Sequence, residues 1–131
     1  MKKSGLLRGA AAAMLLLAPS PVLAAGAADE IVTATTHADL ATKAGALDGV
    51  HMHLHHALNC LVGAGGDGFD AKSINPCAGS GAGAIPDTSD AAKKAALEAA
   101  AVKARAGLAS ADLAVAQKDA ADVATALKAI H

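Results

Sequence analysis

Residues 36–63 read THADLATKAGALDGVHMHLHHALNCLVG, and the spacing of their apolar positions decides the fold class. Leu40, Ala44, Leu47, His51, Leu54, Leu58 and Leu61 follow one another in alternating steps of four and three. That spacing keeps side chains on one stripe of an α-helix. Thr36 followed three residues later by Asp39 supplies a start signal, and Asp39 suits the positive end of the helix dipole. Gly63 opens a glycine-rich stretch that ends the pattern. The expectation is one amphipathic helix over 37–62, weakened but not broken by Gly45 and Gly49.

Downstream, residues 63–88 hold Gly63, Gly65, Gly66, Gly68, Pro76, Gly79, Gly81, Gly83 and Pro86, too dense a set for a regular element. A loop this long exceeds the usual limit of about 12–15 residues, so it is either functional or pinned. Asp87, Thr88, Ser89 and Asp90 then offer helix caps, and Leu97, Ala101, Ala104 and Leu108 share a face. Gly107, Ser110 and Asp112 suggest a turn. A second stripe follows at Leu113, Ala116, Ala120, Val123, Leu127 and Ile130, at a different angle from the first. Two helices over 89–108 and 111–130 account for this; one helix broken at Lys118-Asp119 is the alternative.

Upstream, Lys2, Lys3 and Arg8 precede a short apolar run from Ala10 to Ala18. Pro19 and Pro21 follow, then Val22-Leu23-Ala24, small at the positions a signal peptidase reads. The run is too short to span a bilayer. The expectation is a Sec signal peptide over 1–24, cleaved after Ala24 or Ala25, with a periplasmic or secreted product and no membrane span after cleavage. Residues 25–35 read as a flexible lead, and 36–131 as the helical domain. The expected fold is all-α: a small antiparallel bundle of about three Ala-rich helices with a long Gly-rich loop tethered by a disulfide.

Composition narrows the function. Of 131 residues 38 are Ala and one is aromatic, and the formal net charge is −1. Cleavage would remove three cations and leave the mature chain near −4. Without a basic excess or a set of stacking rings, nucleic-acid binding is excluded. With Ala as the main apolar residue each buried side chain contributes little, so a disulfide, a metal or a second subunit matters more than usual.

Cys60 and Cys77 are the only two cysteines. In an exported chain an even count reads as a disulfide, worth about 3 kcal/mol in the chain-entropy model. Their spacing matches neither a CxxC pair nor a zinc knuckle. Cys60 falls opposite the leucine stripe, which would fold the glycine loop over the outer face of the first helix.

The segment His51-Met52-His53-Leu54-His55-His56 is the unusual polar feature. His51 and His55 form an i,i+4 pair bordering the bundle interior. His53 and His56 form an i,i+3 pair on the other side, expected under the glycine loop. Asp48 stands where it could add an oxygen ligand or orient a ring. Imidazoles suit copper or zinc, and the Met52 thioether suits Cu(I). The metal ligands expected are therefore His51, His53, His55, His56 and Met52. Plain surface or core histidines, a pH response and an axial haem ligand are the competing accounts, although no CxxCH exists for covalent haem attachment.

Two other motifs carry little. Gly63 to Gly68 matches GxGxxG but follows a helix rather than a strand. Gly65 to Asp70 matches part of one calcium-binding nonapeptide, with Asp67 and Asp70 as ligands, but in a single copy. Phe69 reads as a pin for the loop. No nucleophile sits in a catalytic setting, so no enzyme is expected. The leading function is binding or buffering of Cu or Zn by an exported helical protein. Its rival is a metal-free interaction module, a homodimer or the companion of another exported protein.

Overall fold

The computed structural model describes residues 22–130, all helix and loop, with side-chain surroundings from Gly26 onward. The signal peptide expected over 1–24 lies almost wholly outside the described residues. Four long helices and one short one follow in order: α1 Val22–Lys43, α2 Leu47–Val62, α3 Ala84–Asp87, α4 Ala91–Ala109 and α5 Leu113–Lys128. The all-α expectation holds, with five helices in place of about three.

The helix expected over 37–62 is two helices. The chain leaves the helix at Ala44 and re-enters at Leu47, and Ala46 is extended (φ −138°, ψ 149°). Gly45 lies at the break, where a helical conformation costs most entropy. The apolar steps nevertheless continue across it, which hides the reversal from a periodicity argument. The flexible lead expected over 25–35 is instead the body of α1. Its buried apolar residues are mostly alanines: Ala27, Ala34, Ala38 and Ala41, with Ile31. Thr36 is no cap, since its hydroxyl donates to the Val32 carbonyl one turn back, at 3.0 Å.

α1 packs antiparallel on α2, α4 on α5, α1 on α5 and α2 on α4. The long helices thus close an up-down-up-down bundle, each against two neighbours. Leu54, Leu58, Leu61, Leu97 and Leu127 are fully buried, and alanines such as Ala34, Ala57, Ala104 and Ala120 fill the seams. Small seam residues let the helices approach closely. At Gly107 α4 approaches α2 closely: a Cβ there would lie 2.7 Å from Leu54 Cδ1.

The helix caps follow the sequence. Asp90 accepts the Lys93 amide at 2.7 Å and Asp112 accepts the Val115 amide at 2.9 Å. The break between α4 and α5 falls at residues 110–112 rather than at Lys118-Asp119.

The glycine-rich segment is pinned at several points. Cys60 and Cys77 form the disulfide, with Cα atoms 5.2 Å apart. Asn59, fully buried, donates to the carbonyls of Asp70 (3.0 Å) and Ile74 (3.3 Å) and accepts the Asp70 amide (2.9 Å). One side chain thereby replaces the backbone partners that a loop lacks. Arg105 donates to the Asp67 carbonyl at 3.2 Å, and Phe69 packs partly buried against the core. Gly63 ends α2 at φ 69°, and a Cβ there would collide with the Ala82 carbonyl. No helix among the described residues is long and apolar enough to cross a membrane.

Candidate metal centre

α2 carries two buried stripes. Leu54, Leu58 and Leu61 enter the bundle core. The second stripe, His53, His56 and Cys60, faces α1, because α1 occupies the side that the sequence leaves open to the glycine loop. Position 37 of α1 meets this stripe. His37 Nδ1 lies 3.3 Å from His53 Nδ1, and the rings of His37 and His56 meet edge to face with centroids 4.9 Å apart. The His53 and His56 centroids are 5.9 Å apart, again nearly perpendicular. Each of the three offers a ligand nitrogen, and all three nitrogens lie within 4.8 Å of one another.

The chemistry of the donor set fits a transition ion. Two nitrogens each about 2.0–2.1 Å from a tetrahedral ion are about 3.3–3.4 Å apart, which the His37–His53 pair already satisfies at 3.3 Å. His56 is 8% exposed, and its Nδ1 is buried without a hydrogen-bond partner. An unpaired buried nitrogen is costly. Burial, then the neighbouring imidazoles of His56 and His53, holds the pKa of His37 below its ordinary value. Burial, then His53 and His55, does the same for His56. Both effects favour the neutral ring, the form that ligates.

The remaining histidines of the cluster go elsewhere. His51 Nε2 lies 3.0 Å from the Ser110 carbonyl at the α4–α5 turn. His55 Nδ1 lies 3.6 Å from Asp70 Oδ2 of the glycine loop. The i,i+4 pair thus faces two different partners and joins no metal-sized group among the described residues. Met52 is 47% exposed and Asp48 is exposed. Asp67 and Asp70 likewise belong to no such group among the described residues; the Asp70 carboxylate accepts the Lys72 amide and the Ser73 hydroxyl.

His37 is the candidate ligand that sequence reasoning missed. A signal existed: positions 37 and 53 are symmetric about Gly45, so a hairpin turning there sets them side by side. Without knowledge of the turn, the sixteen-residue interval matches no ligand motif.

A buried acid lies two turns before His37. Glu30 is fully buried; its Oε1 accepts the Gly83 amide at 2.9 Å, and Oε2 has no partner. Burial outweighs that hydrogen bond, and with Asp87 and Asp29 nearby the pKa is raised to about 7. Cys77 Sγ lies 4.0 Å from the Glu30 carbonyl, so α1, the disulfide and the α3 segment meet here. Beyond it, a cleft of about 620 Å³ is lined by Val62, Ile85, Pro86, Ala101, Val102 and Arg105, among others, and by none of the histidines.

Comparison with known protein families, with curated proteins and with solved structures finds no match to this chain.

Proposed function

We propose that this protein binds a divalent transition metal, zinc or copper, through His37, His53 and His56, and that it serves as an exported metal-binding or buffering protein rather than an enzyme. The observation that carries the reading is the convergence of three imidazoles from two helices, with one nitrogen pair already at 3.3 Å. An all-nitrogen set suits Zn(II) and Cu(II) better than Cu(I), which favours sulfur. The export half of the proposal rests on the signal-like residues 1–24.

Binding would clamp α1 to α2 across the hairpin. At a hundredfold excess of metal over Kd the stabilisation is about 2.7 kcal/mol, which raises Tm by roughly 10 °C in a domain of this size. The test is titration of the metal-free, untagged protein with Zn and Cu by calorimetry, beside the variants His37→Ala, His53→Ala and His56→Ala. One-to-one binding that each substitution weakens supports the reading. Failure of the unmodified protein to bind either metal at micromolar concentration overturns it. The competing module without metal draws support from the apolar cleft beside α4, and it would then take precedence.

A further inference from the structure

We infer that a metal held by His37, His53 and His56 keeps one coordination position open, and that this position takes a small inorganic anion from solution. The inference rests on the metal-binding reading above. Transition ions bound by imidazole take four or more donors, and closed structural sites draw all of them from protein. Here the donor set is short. Among the described residues no Cys, Asp or Glu lies with the three imidazoles at ligand separation.

The acids that stand closest along the chain are paired elsewhere or face solvent. Asp39, two residues after His37, pairs with Lys128 at 2.7 Å. Glu30 holds the Gly83 amide, and Asp70 caps its own loop. Asp48 is exposed at the start of α2.

Charge and access point the same way. Three neutral imidazoles leave both positive charges of a divalent ion uncompensated beside His56, which is 8% exposed. An uncompensated charge removed from water is expensive, and an anion in the open position offsets it. His37 and His53 are only half-buried, so their side of the cluster is reachable from solvent. The hairpin also has other ties: the apolar core and the Cys60–Cys77 bond hold α1, α2 and the loop together without a metal. A closed four-donor site is therefore not required to fold it.

The test uses Co(II), a spectroscopic stand-in for zinc, bound to the untagged protein and titrated with azide. The expected result is a saturable change in the cobalt visible bands, reversed on dialysis and reproduced by thiocyanate. Met52→Leu should leave both the cobalt spectrum and its azide response unchanged. Cobalt that binds but ignores azide overturns the inference, because the protein then supplies the fourth donor. A cobalt spectrum altered by Met52→Leu overturns it too and names that donor. Absence of cobalt, zinc and copper binding alike overturns the metal reading itself, and the inference with it.

Discussion

Two places on α1, seven residues and so about 10.5 Å apart, solve the same problem in opposite ways. At His37 the helix meets His53 and His56, a group of bases with one buried, unpaired nitrogen. At Glu30 it meets the Gly83 amide and Asp87 beneath the disulfide loop, an acid with one buried, unpaired oxygen. The basic group is relieved by shedding protons, or by a metal. The acidic one is relieved by gaining a proton. One helix thus carries or meets basic groups whose contribution falls away in acid, and carries an acid whose contribution falls away as pH rises through about 7.

The largest expected effect separates the two sites by ligand. Replacing His37, His53 and His56 together by Ala should lower metal affinity by more than the roughly 10–100-fold typical of losing an outer-shell partner. Glu30→Gln should leave that affinity unaltered. Calorimetric titration of both variants, with circular dichroism to check the fold, decides the point; a loss of affinity in Glu30→Gln would mean the sites are coupled.

Next in size is the disulfide. Opening Cys60–Cys77, by reduction or by a Cys60→Ser/Cys77→Ser pair, should cost about 3 kcal/mol and lower Tm by roughly 10 °C. The bond ties the loop to the Glu30 corner, not to the histidines, so metal affinity should survive. If reduction abolished metal binding, the loop would be part of the metal site after all.

The pH response tests the contrast directly. Glu30 has a folded-state pKa of about 7 against an ordinary 4.5, so the native state binds more protons than the unfolded chain between those values. Its stabilisation is complete below 4.5 and is lost as pH rises through about 7, a loss on the order of 1–3 kcal/mol. Glu30→Gln should abolish that decline in denaturant midpoints measured from pH 4.5 to 8. His37 and His56 have the opposite sign: their folded pKa values lie below 6.5, so stability falls as pH drops below that value. Saturating metal should raise stability near neutrality and make the acid-side loss steeper, because protons compete with the ion for the imidazoles, while the Glu30 decline stays as it is.

The smallest effect is expected outside both regions. His51→Ala and His55→Ala together should change metal affinity far less than the substitutions at His37, His53 and His56, because neither ring joins that group. His51→Ala should still cost about 1 kcal/mol of stability by removing its bond to the α4–α5 turn. A larger affinity change would bring the i,i+4 pair back into the ligand set.

Much of the fold is readable along the chain because its signals are local. Asp90 and Asp112 announce their helices, Gly63 ends α2, and the paired cysteines imply the tether. α1 was hard to read for a physical reason. Its buried stripe of Ala27, Ile31, Ala34, Ala38 and Ala41 has the right steps of four and three, but Ala serves equally inside and outside a helix bundle. The turn at residues 44–46 was hidden because the stripe stays in phase across it. Because the turn is silent in the periodicity, the far face of α2 reads as open to the loop, whereas α1 covers His53 and His56 there.

Local signals along the chain are enough for the helical class, the caps at Asp90 and Asp112, the glycine-rich connection, the disulfide pairing and the concentration of imidazole on one helix. These follow from propensity, spacing and composition, which act over a few residues. Which imidazoles meet is set by how the helices pack. A ligand set is a fact about distances between helices, and reversing the chain at Gly45 brings His37 beside His53 while sending His51 and His55 to different neighbours. The buried Glu30 is of the same kind: nothing in its sequence neighbourhood marks it, and only the loop folded over it removes it from water.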